Sequence, residues 1–154
     1  MVKQFSKLLL LLAMMGGIAM GQEKAATVSA DAQVVKYFSK DDLAASFAKG
    51  GTITEQSNYK VMTAHRTEGG NVEVHNNFTD VFYIVQGTTT IVTGGKVIGA
   101  DLKNPDEPRG KSIEGGETRK MSAGDAIVIP AGVPHWMKEA EGPLLYFVVK
   151  VEKK

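Results

Sequence analysis

The sequence predicts a small all-β domain, a sandwich or barrel, with one short helix before the strands. From Tyr59 onward, short runs rich in β-branched and aromatic residues alternate with Gly, Asn and Pro, which is typical of strands joined by turns. Most of the connections are short, and several strands on short connections indicate an all-β architecture. The 154 residues suffice for one domain with a sizeable core and are too few for two.

The first 21 residues have the pattern of a secretory signal peptide. Lys3 and Lys7 precede an uncharged apolar run from Leu8 to Met20, and small residues on both sides of Met20 suit cleavage. The run is shorter than the ~20 residues that a membrane-spanning helix needs, so an uncleaved anchor is the weaker alternative. We expect residues 1–21 to be removed and the protein to be exported, periplasmic or secreted, without stable membrane insertion.

The charge balance argues against nucleic acid and anionic membranes as partners. The chain has 18 basic and 17 acidic residues, and removal of residues 1–21 takes away two lysines, which leaves 16 against 17. No basic cluster remains to bind a polyanion. The chain contains no cysteine, which excludes disulfides, a lipid-attachment cysteine and a cysteine nucleophile.

The mature chain is predicted to consist of a flexible N-terminal segment, residues 22–36, and one β domain, residues 37–154. Within that domain, "SKDDLAASFAKGG" predicts one short helix. Ser39 can cap it, with Asp42 in its first turn, and Gly50 or Gly51 can end it. Leu43 and Phe47 form an apolar stripe that should pack on the core.

The strand pattern predicts two hairpins. The first joins "YKVMTAH" to "NVEVHN" around "RTEGG", and the second joins "DVFYIVQ" to "TTTIVT" around Gly87. Further strands are expected at "DAIVIP", "HWMKE" and "LLYFVVKV". The long connection from Gly94 to about Lys120 is either a functional cover for a site or an inert surface excursion.

One predicted strand carries an unusual polar face. In "NVEVHNN", Glu73, His75 and Asn77 alternate with Val72 and Val74, so the three polar side chains share one face. If that face points inward, the polar groups need a metal, a ligand or ordered water as partners. If it points outward, the groups are solvated and the valines form the core. This strand by itself leaves both interpretations open.

A second segment, "GDAIVIPAGVPHW", has a regular spacing that ends in a histidine. Gly124, Pro130, Gly132 and His135 match the pattern G-x5-P-x-G-x2-H, which resembles the second motif of the cupin superfamily. The final position of that motif, usually Asn, is Glu139 here. The Pro-Gly turn would swing the chain so that His135 enters the mouth of a barrel.

The first cupin motif, G-x5-H-x-H-x(3 or 4)-E-x6-G, is recognisable in a degraded form. Gly69 and His75 have the expected spacing, Asn77 stands where the second histidine would be, and Asp80 has the register of the glutamate, counted back from Gly87. The resemblance runs from about Tyr59 to Val151. More narrowly, "EVHNNFTDVFYIVQG" and "RGKSIEGG" are similar to small exported bacterial single-domain cupins.

The resemblance implies a double-stranded β-helix, or jelly-roll barrel, with a metal site at its mouth. His75 and His135 are the expected ligands, with Asp80 favoured as the carboxylate and Asn77 as a weak fourth ligand. Glu73 is the alternative carboxylate, either as a ligand or as a partner of one. Two imidazoles and a carboxylate suit a divalent transition metal such as Mn, Fe, Zn or Ni.

Two functions remain open at this point. The first is a small-molecule enzyme of isomerase, lyase or dioxygenase type, in which the metal acts as a Lewis acid and whichever of Glu73 and Asp80 is not a ligand moves a proton. The second is a periplasmic module that binds a sugar or organic acid without tight metal, an interpretation that Asn77 favours. A storage or structural barrel fits the polar face poorly.

Several other residues have more ordinary expected roles. His65 should lie on the face opposite to His75, and Trp136 should pack on the barrel exterior or against a partner. Arg109 and Lys111 either attract an anionic substrate or are solvated. Apolar cavity lining or core is expected at Met62, Phe82, Ile84 and Met137. The outer surface of Val72, Val74 and "LLYFVVKV" predicts a homodimer.

Overall fold

The computed structural model describes residues 34–154. The predicted signal peptide, residues 1–21, and most of the predicted flexible segment, residues 22–36, lie outside the described residues. The described part contains one helix and ten strands: α1 (Lys40–Lys49), β1 (Gly51–Glu55), β2 (Tyr59–Arg66), β3 (Val72–Glu73), β4 (Phe78–Thr93), β5 (Lys96–Ile98), β6 (Arg109–Gly110), β7 (Ser112–Glu114), β8 (Glu117–Ser122), β9 (Ala126–Ile129) and β10 (His135–Glu152). Within residues 34–154, no helix is long and apolar enough to cross a membrane.

Two long strands, β4 and β10, organise the domain. They pair antiparallel along nearly their whole length, and both change partners at their middle. The C-terminal half of β10 pairs with β2, and the N-terminal half of β4 pairs with β9. The other halves pair with β3 and β8, respectively. These pairings form two facing layers that share β4 and β10. The predicted all-β architecture is confirmed.

Both predicted hairpins are wrong in detail. The strand β2 pairs with β1 and β10 instead of β3, and β4 passes through Gly87 as one 16-residue strand. Gly87 has φ +84°, and a Cβ there would lie 2.8 Å from the carbonyl oxygen of Pro143. This glycine therefore lets β4 bend against β10 where a turn was predicted, and "HWMKE" and "LLYFVVKV" likewise form the single strand β10.

The predicted helix is confirmed, together with its caps. Ser39 and Asp42 form a capping box, in which the Ser39 hydroxyl accepts the Asp42 backbone N–H and the Asp42 carboxylate accepts the Ser39 backbone N–H. Such a box satisfies two N–H groups that the helix start would otherwise leave free. Phe47 is buried edge-on against Phe147, with ring centroids 5.1 Å apart. The helix thus covers part of the outer face of β10.

The core lies between the two layers. Its buried members come from β4, β8, β9 and β10: Phe82, Ile84, Ile91, Met121, Ile129, Met137, Leu144, Tyr146 and Val148. Val72 and Val74, which were expected on an outer surface available for dimerisation, are also buried. That part of the dimer argument is wrong, because β6 and the segment before it cover the valines. The homodimer itself remains a prediction.

Candidate metal centre

Strand register brings the two motif histidines together. His135 is the first residue of β10 and pairs directly with Glu73 of β3. The preceding Pro-Gly turn has Gly132 at φ +80°, a conformation that favours glycine. The Gly132 N–H donates to the carbonyl oxygen of His75 at 2.9 Å. The main chain of one motif is therefore hydrogen-bonded to the other motif at its histidine.

Glu73, His75 and His135 form a compact group of metal-binding side chains. One ligand atom from each lies within 4.8 Å of the others, and the two imidazole rings are 5.1 Å apart between centroids. Both histidine side chains are 5% exposed, and Glu73 is 25% exposed. Two imidazoles and one carboxylate are a donor set that Zn²⁺, Fe²⁺ and Mn²⁺ sites use.

His135 presents a nitrogen that nothing in the described chain satisfies. Its Nδ1 lies 3.2 Å from the carbonyl oxygen of Val133, which fixes this nitrogen as the donor. Its Nε2 is buried and has no hydrogen-bond partner among residues 34–154. Burial lowers the pKa of His135, because it penalises the charged imidazolium. The Val133 carbonyl and the nearby carboxylates favour the charged form, but their effect is smaller. The neutral ring therefore directs a free lone pair into the group.

His75 is held by a second set of partners behind the group. Its Nδ1 lies 2.7 Å from Oδ2 of Asp80, whose side chain is 1% exposed. Lys150, opposite Asp80 on β10, donates to both carboxylate oxygens at 3.0 and 3.2 Å. The Lys150 ammonium, which only donates, also lies 3.0 Å from the His75 Nδ1. The shorter contact is with the ionised carboxylate, which only accepts, so we assign the proton to Nδ1 and the lone pair to Nε2. That Nε2 lies 3.6 Å from Oε2 of Glu73.

The charge of Asp80 is stabilised by its neighbours. Burial by itself would raise the pKa of Asp80, but the hydrogen bond and charge of His75, together with Lys150, lower it below its ordinary value. Asp80 is also 3.7 Å from Nε2 of His135. The Lys150 ammonium nevertheless occupies the Asp80 side of His75, where it would repel a metal cation. The favourable place for a cation is therefore between the two Nε2 atoms and Glu73.

The two oxygens of Glu73 face different partners. Oε1 is paired with Arg109 and lies 3.8 Å from Nη2 of Arg66, while Oε2 faces His75. Arg66 Nε donates to the buried Tyr146 hydroxyl at 2.9 Å. Burial raises the pKa of Tyr146 despite the opposing charge of Arg66, so the phenol stays neutral. One oxygen of Glu73 is thus neutralised by arginines and the other remains directed at the histidines.

The structure does not bring Asn77 into this group. Asn77 is exposed, and its backbone carbonyl accepts the Lys153 N–H at 2.8 Å. The predicted strand ends at Glu73, so the alternation that placed Asn77 beside His75 does not continue. His65 is exposed on β2, where it alternates with the pocket-lining residues Met62 and Arg66. The Trp136 indole N–H donates to the Gly70 carbonyl at 2.6 Å.

The long connection contributes to the site. Residues 105–108 receive backbone hydrogen bonds from Val74 and Asn76, and β6 pairs with β3. Together with the barrel mouth it bounds a pocket of about 360 Å³ lined by Lys60, Met62, Arg66, Glu73, His75, Phe78, Asp80, Phe82, Glu107, Arg109, Val148 and Lys150. Of the two interpretations of residues 94–120, the structure supports the cover. Lys111, in contrast, is exposed.

Three residues of the site were missed by sequence reasoning: Lys150, Arg66 and Tyr146. Lys150 and Asp80 are 70 residues apart, and their contact depends on the register between β4 and β10. Arg66 and Tyr146 are 80 residues apart and meet across β2 and β10. Alternation along the strand "YKVMTAHR" could have predicted Arg66, because it lies on the same strand face as Lys60 and Met62, which also line the pocket.

Comparison with known proteins gives a family match for part of the chain and solved structures of similar fold. Residues 109–150 match the family model described as "Cupin domain". A solved structure from Bacillus halodurans is 15% identical and has a TM-score of 0.56, with 80% of this chain and 86% of that chain covered. A candidate mannose-6-phosphate isomerase from Ralstonia eutropha is 14% identical with a TM-score of 0.50, with 68% and 83% covered.

A search among curated proteins found no significant match. At these identities the solved structures bear on the fold alone, and the family match bears on the segment that contains the second motif and His135. The family match, the fold of these neighbours and the motif spacing support the resemblance to the cupin superfamily, with the sequence match confined to residues 109–150.

Proposed function

We propose that this protein is a metal-dependent enzyme that acts on a small molecule in the pocket at the barrel mouth. Glu73, His75 and His135 would hold a divalent transition metal. The observation that carries this proposal is the buried, unpartnered Nε2 of His135 directed at the other two side chains. An orphaned buried acceptor is costly, and a bound cation would satisfy it.

The donor set fits such a metal. Both histidines donate through Nδ1 to an oxygen, Asp80 in one case and Val133 in the other, which leaves both Nε2 atoms as ligands. Partners of this kind orient metal-binding imidazoles and raise their basicity. When bound, the metal would act as a Lewis acid that polarises a substrate oxygen.

The chain's own residues would bind and orient the substrate. Neither carboxylate is a free base, because Glu73 is paired with Arg109 and Asp80 is paired with Lys150. Asp80 therefore keeps the His75 ring in place, a different role from the proton transfer that was one sequence expectation. The covering segment contributes Glu107 and Arg109 to the pocket lining, and Phe78 and Phe82 contribute an apolar wall.

The candidate isomerase among the structural neighbours supports an enzymatic function only through the shared fold, which hosts many unrelated activities. Isomerase, lyase and dioxygenase chemistry all remain compatible with the proposed centre. Export of the chain and its assembly as a homodimer remain part of the proposal.

The decisive experiment is elemental analysis of the purified protein beside His75→Ala, His135→Ala and His65→Ala. His65 is the third histidine of the chain and is exposed, so His65→Ala is a matched control. We expect about one metal ion per chain in the wild type and in the control, as in other sites with three protein ligands. Loss of the metal is expected in both site variants, with circular dichroism to confirm that they fold.

One observation favours the alternative of a binding module without metal. Arg109 and Lys150 neutralise Glu73 and Asp80 without a metal. A wild-type protein that contains no metal, and that takes up none of Mn, Fe, Zn or Ni on titration, would contradict the enzyme proposal and favour this alternative.

A further inference from the structure

The pocket at the barrel mouth carries more cationic than acidic side chains. Its cationic lining residues are Lys60, Arg66, Arg109 and Lys150, and its acidic lining residues are Glu73, Asp80 and Glu107. Four positive charges less three negative charges leave +1 with the histidines neutral. A divalent cation would raise this balance to +3. The pocket is therefore electrostatically suited to an anion, with or without a metal.

Two of these cations retain binding capacity. Among residues 34–154, Lys60 is paired only with Glu55, at 3.0 Å, and Glu55 is 58% exposed. Ion pairs of this kind contribute little and exchange readily. Arg109 is 45% exposed, uses Nη1 on Glu73 and has Nη2 3.9 Å from Oε2 of Glu107. At 3.9 Å the second contact is too long for a hydrogen bond, so N–H groups of Nη2 and Nε keep donor capacity. Lys150, by comparison, is 13% exposed and donates to both oxygens of Asp80.

The remaining wall of the pocket is apolar. Met62, Phe78, Phe82 and Val148 line it, and they offer contact to a short carbon skeleton. A volume of about 360 Å³ is at the low end of the ~300–1,000 Å³ that small-molecule pockets span. Carboxylates match the planar donor geometry of arginine, and a small one fits this combination of walls.

We propose that the pocket binds a small carboxylate, with Lys60 and Arg109 as cationic contacts and Met62 and Phe82 as contacts for its carbon skeleton. This inference rests on the proposed function in that it names the substrate class of the same site. The cationic contacts do not depend on the metal, so the two proposals fail under different results.

The test uses three matched pairs of probes: pyruvate and pyruvamide, succinate and succinamide, and benzoate and benzamide. Binding to the purified protein is measured by ligand-observed NMR and by calorimetry, once after treatment with a chelator and once after loading with Mn²⁺ or Zn²⁺. Each pair keeps the carbon skeleton and removes the charge. We expect at least one carboxylate to bind about tenfold more tightly than its amide, because one lost charged hydrogen bond has that effect.

The variant Lys60→Gln identifies where the anion is held. We expect it to weaken the preferred carboxylate about threefold to tenfold and to leave metal content unchanged. Lys120→Gln is the matched control, because Lys120 is also a strand lysine with one surface partner, Glu141, at 2.9 Å, and it does not line this pocket. Equal loss in both variants would contradict the assignment of Lys60.

The inference is overturned if no carboxylate of the panel binds, or if the amides bind as tightly as the acids in both the chelator-treated and the metal-loaded protein. A carboxylate preference in a protein that takes up no metal would support the inference while contradicting the proposed metal-dependent enzyme. Metal uptake without any carboxylate preference would give the opposite result.

Discussion

The pair Asp80 and Lys150 offers the sharpest test of the site's electrostatics. Asp80 is 1% exposed and Lys150 is 13% exposed, so solvent screens this pair little. Asp80→Asn removes the charge that both Lys150 and His75 contact at 2.7 to 3.2 Å. Two charged hydrogen bonds at about 1.5–3 kcal/mol each give an expected loss of about 3–6 kcal/mol, which includes the range of about 3–5 kcal/mol found when one partner of a buried pair is removed.

The double variant separates the pair from its surroundings. Lys150→Met leaves Asp80 without its cation and should cost a similar amount. If the two side chains stabilise the fold mainly through each other, Asp80→Asn with Lys150→Met should lose less than the sum of the single losses, by about 1–3 kcal/mol. Free energies of unfolding from urea titrations at pH 7, with unchanged m-values, supply all four corners of the cycle.

The same variants measure how His75 is oriented. Asp80→Asn should also weaken metal binding by about 10–100-fold, the usual effect of removing the partner of a ligating histidine. In the metal-free protein, ring nitrogen chemical shifts should place the His75 proton on Nδ1 in the wild type. Additive losses within about 0.5 kcal/mol, together with a proton on Nε2, would refute the reasoning about this pair.

Three further predictions concern the pH dependence and the local structure. The pKa of Asp80 is lowered in the folded protein, so its contribution to stability is present above the unfolded pKa of about 3.9 and is lost as the pH falls through the folded value. The difference in unfolding free energy between wild type and Asp80→Asn should therefore shrink in urea titrations taken from about pH 6 down to pH 3. A constant difference would contradict this. Gly69→Ala should destabilise the fold by more than about 1 kcal/mol in thermal melts, since its Cβ would overlap the Lys138 carbonyl. Gly115→Ala is the control: its Cβ would have nothing within 4 Å, but φ is +71°, so this variant reports the backbone cost alone. Ser39→Ala should cost about 1 kcal/mol through loss of the helix cap, and a melting temperature equal to the wild type would show that the cap contributes nothing.

Much of the fold and the two histidines could be predicted from the sequence, because turn residues and motif spacing are local. The cap at Ser39 follows from neighbouring residues, and the path to His135 follows from the glycine and prolines before it. Both hairpins were wrong because local turn signals do not determine which strands pair. A glycine between two β runs indicates a turn when only neighbours are considered, yet Gly87 lies inside a strand whose partner is more than 50 residues away.

The composition of the centre was harder to predict, because it depends on long-range pairing. Asp80 and Glu73 could not be ranked as ligands from their spacing. The decisive residue is Lys150, which supplies a positive charge on one side of His75 only. Asn77 was assigned by assuming that strand alternation continues past Glu73, and the bend at residues 76–77 breaks that alternation.

The two long strands have a consequence for how the domain opens. Asp80 lies on β4, while His135 and Lys150 lie at opposite ends of β10, and β4 and β10 belong to both layers of the core. Opening of either layer would therefore disturb the strand pairing of β4 and β10 that both layers share. Amide protons along the paired halves of β4 and β10 should therefore exchange with solvent at one common slow rate, set by complete unfolding of the chain.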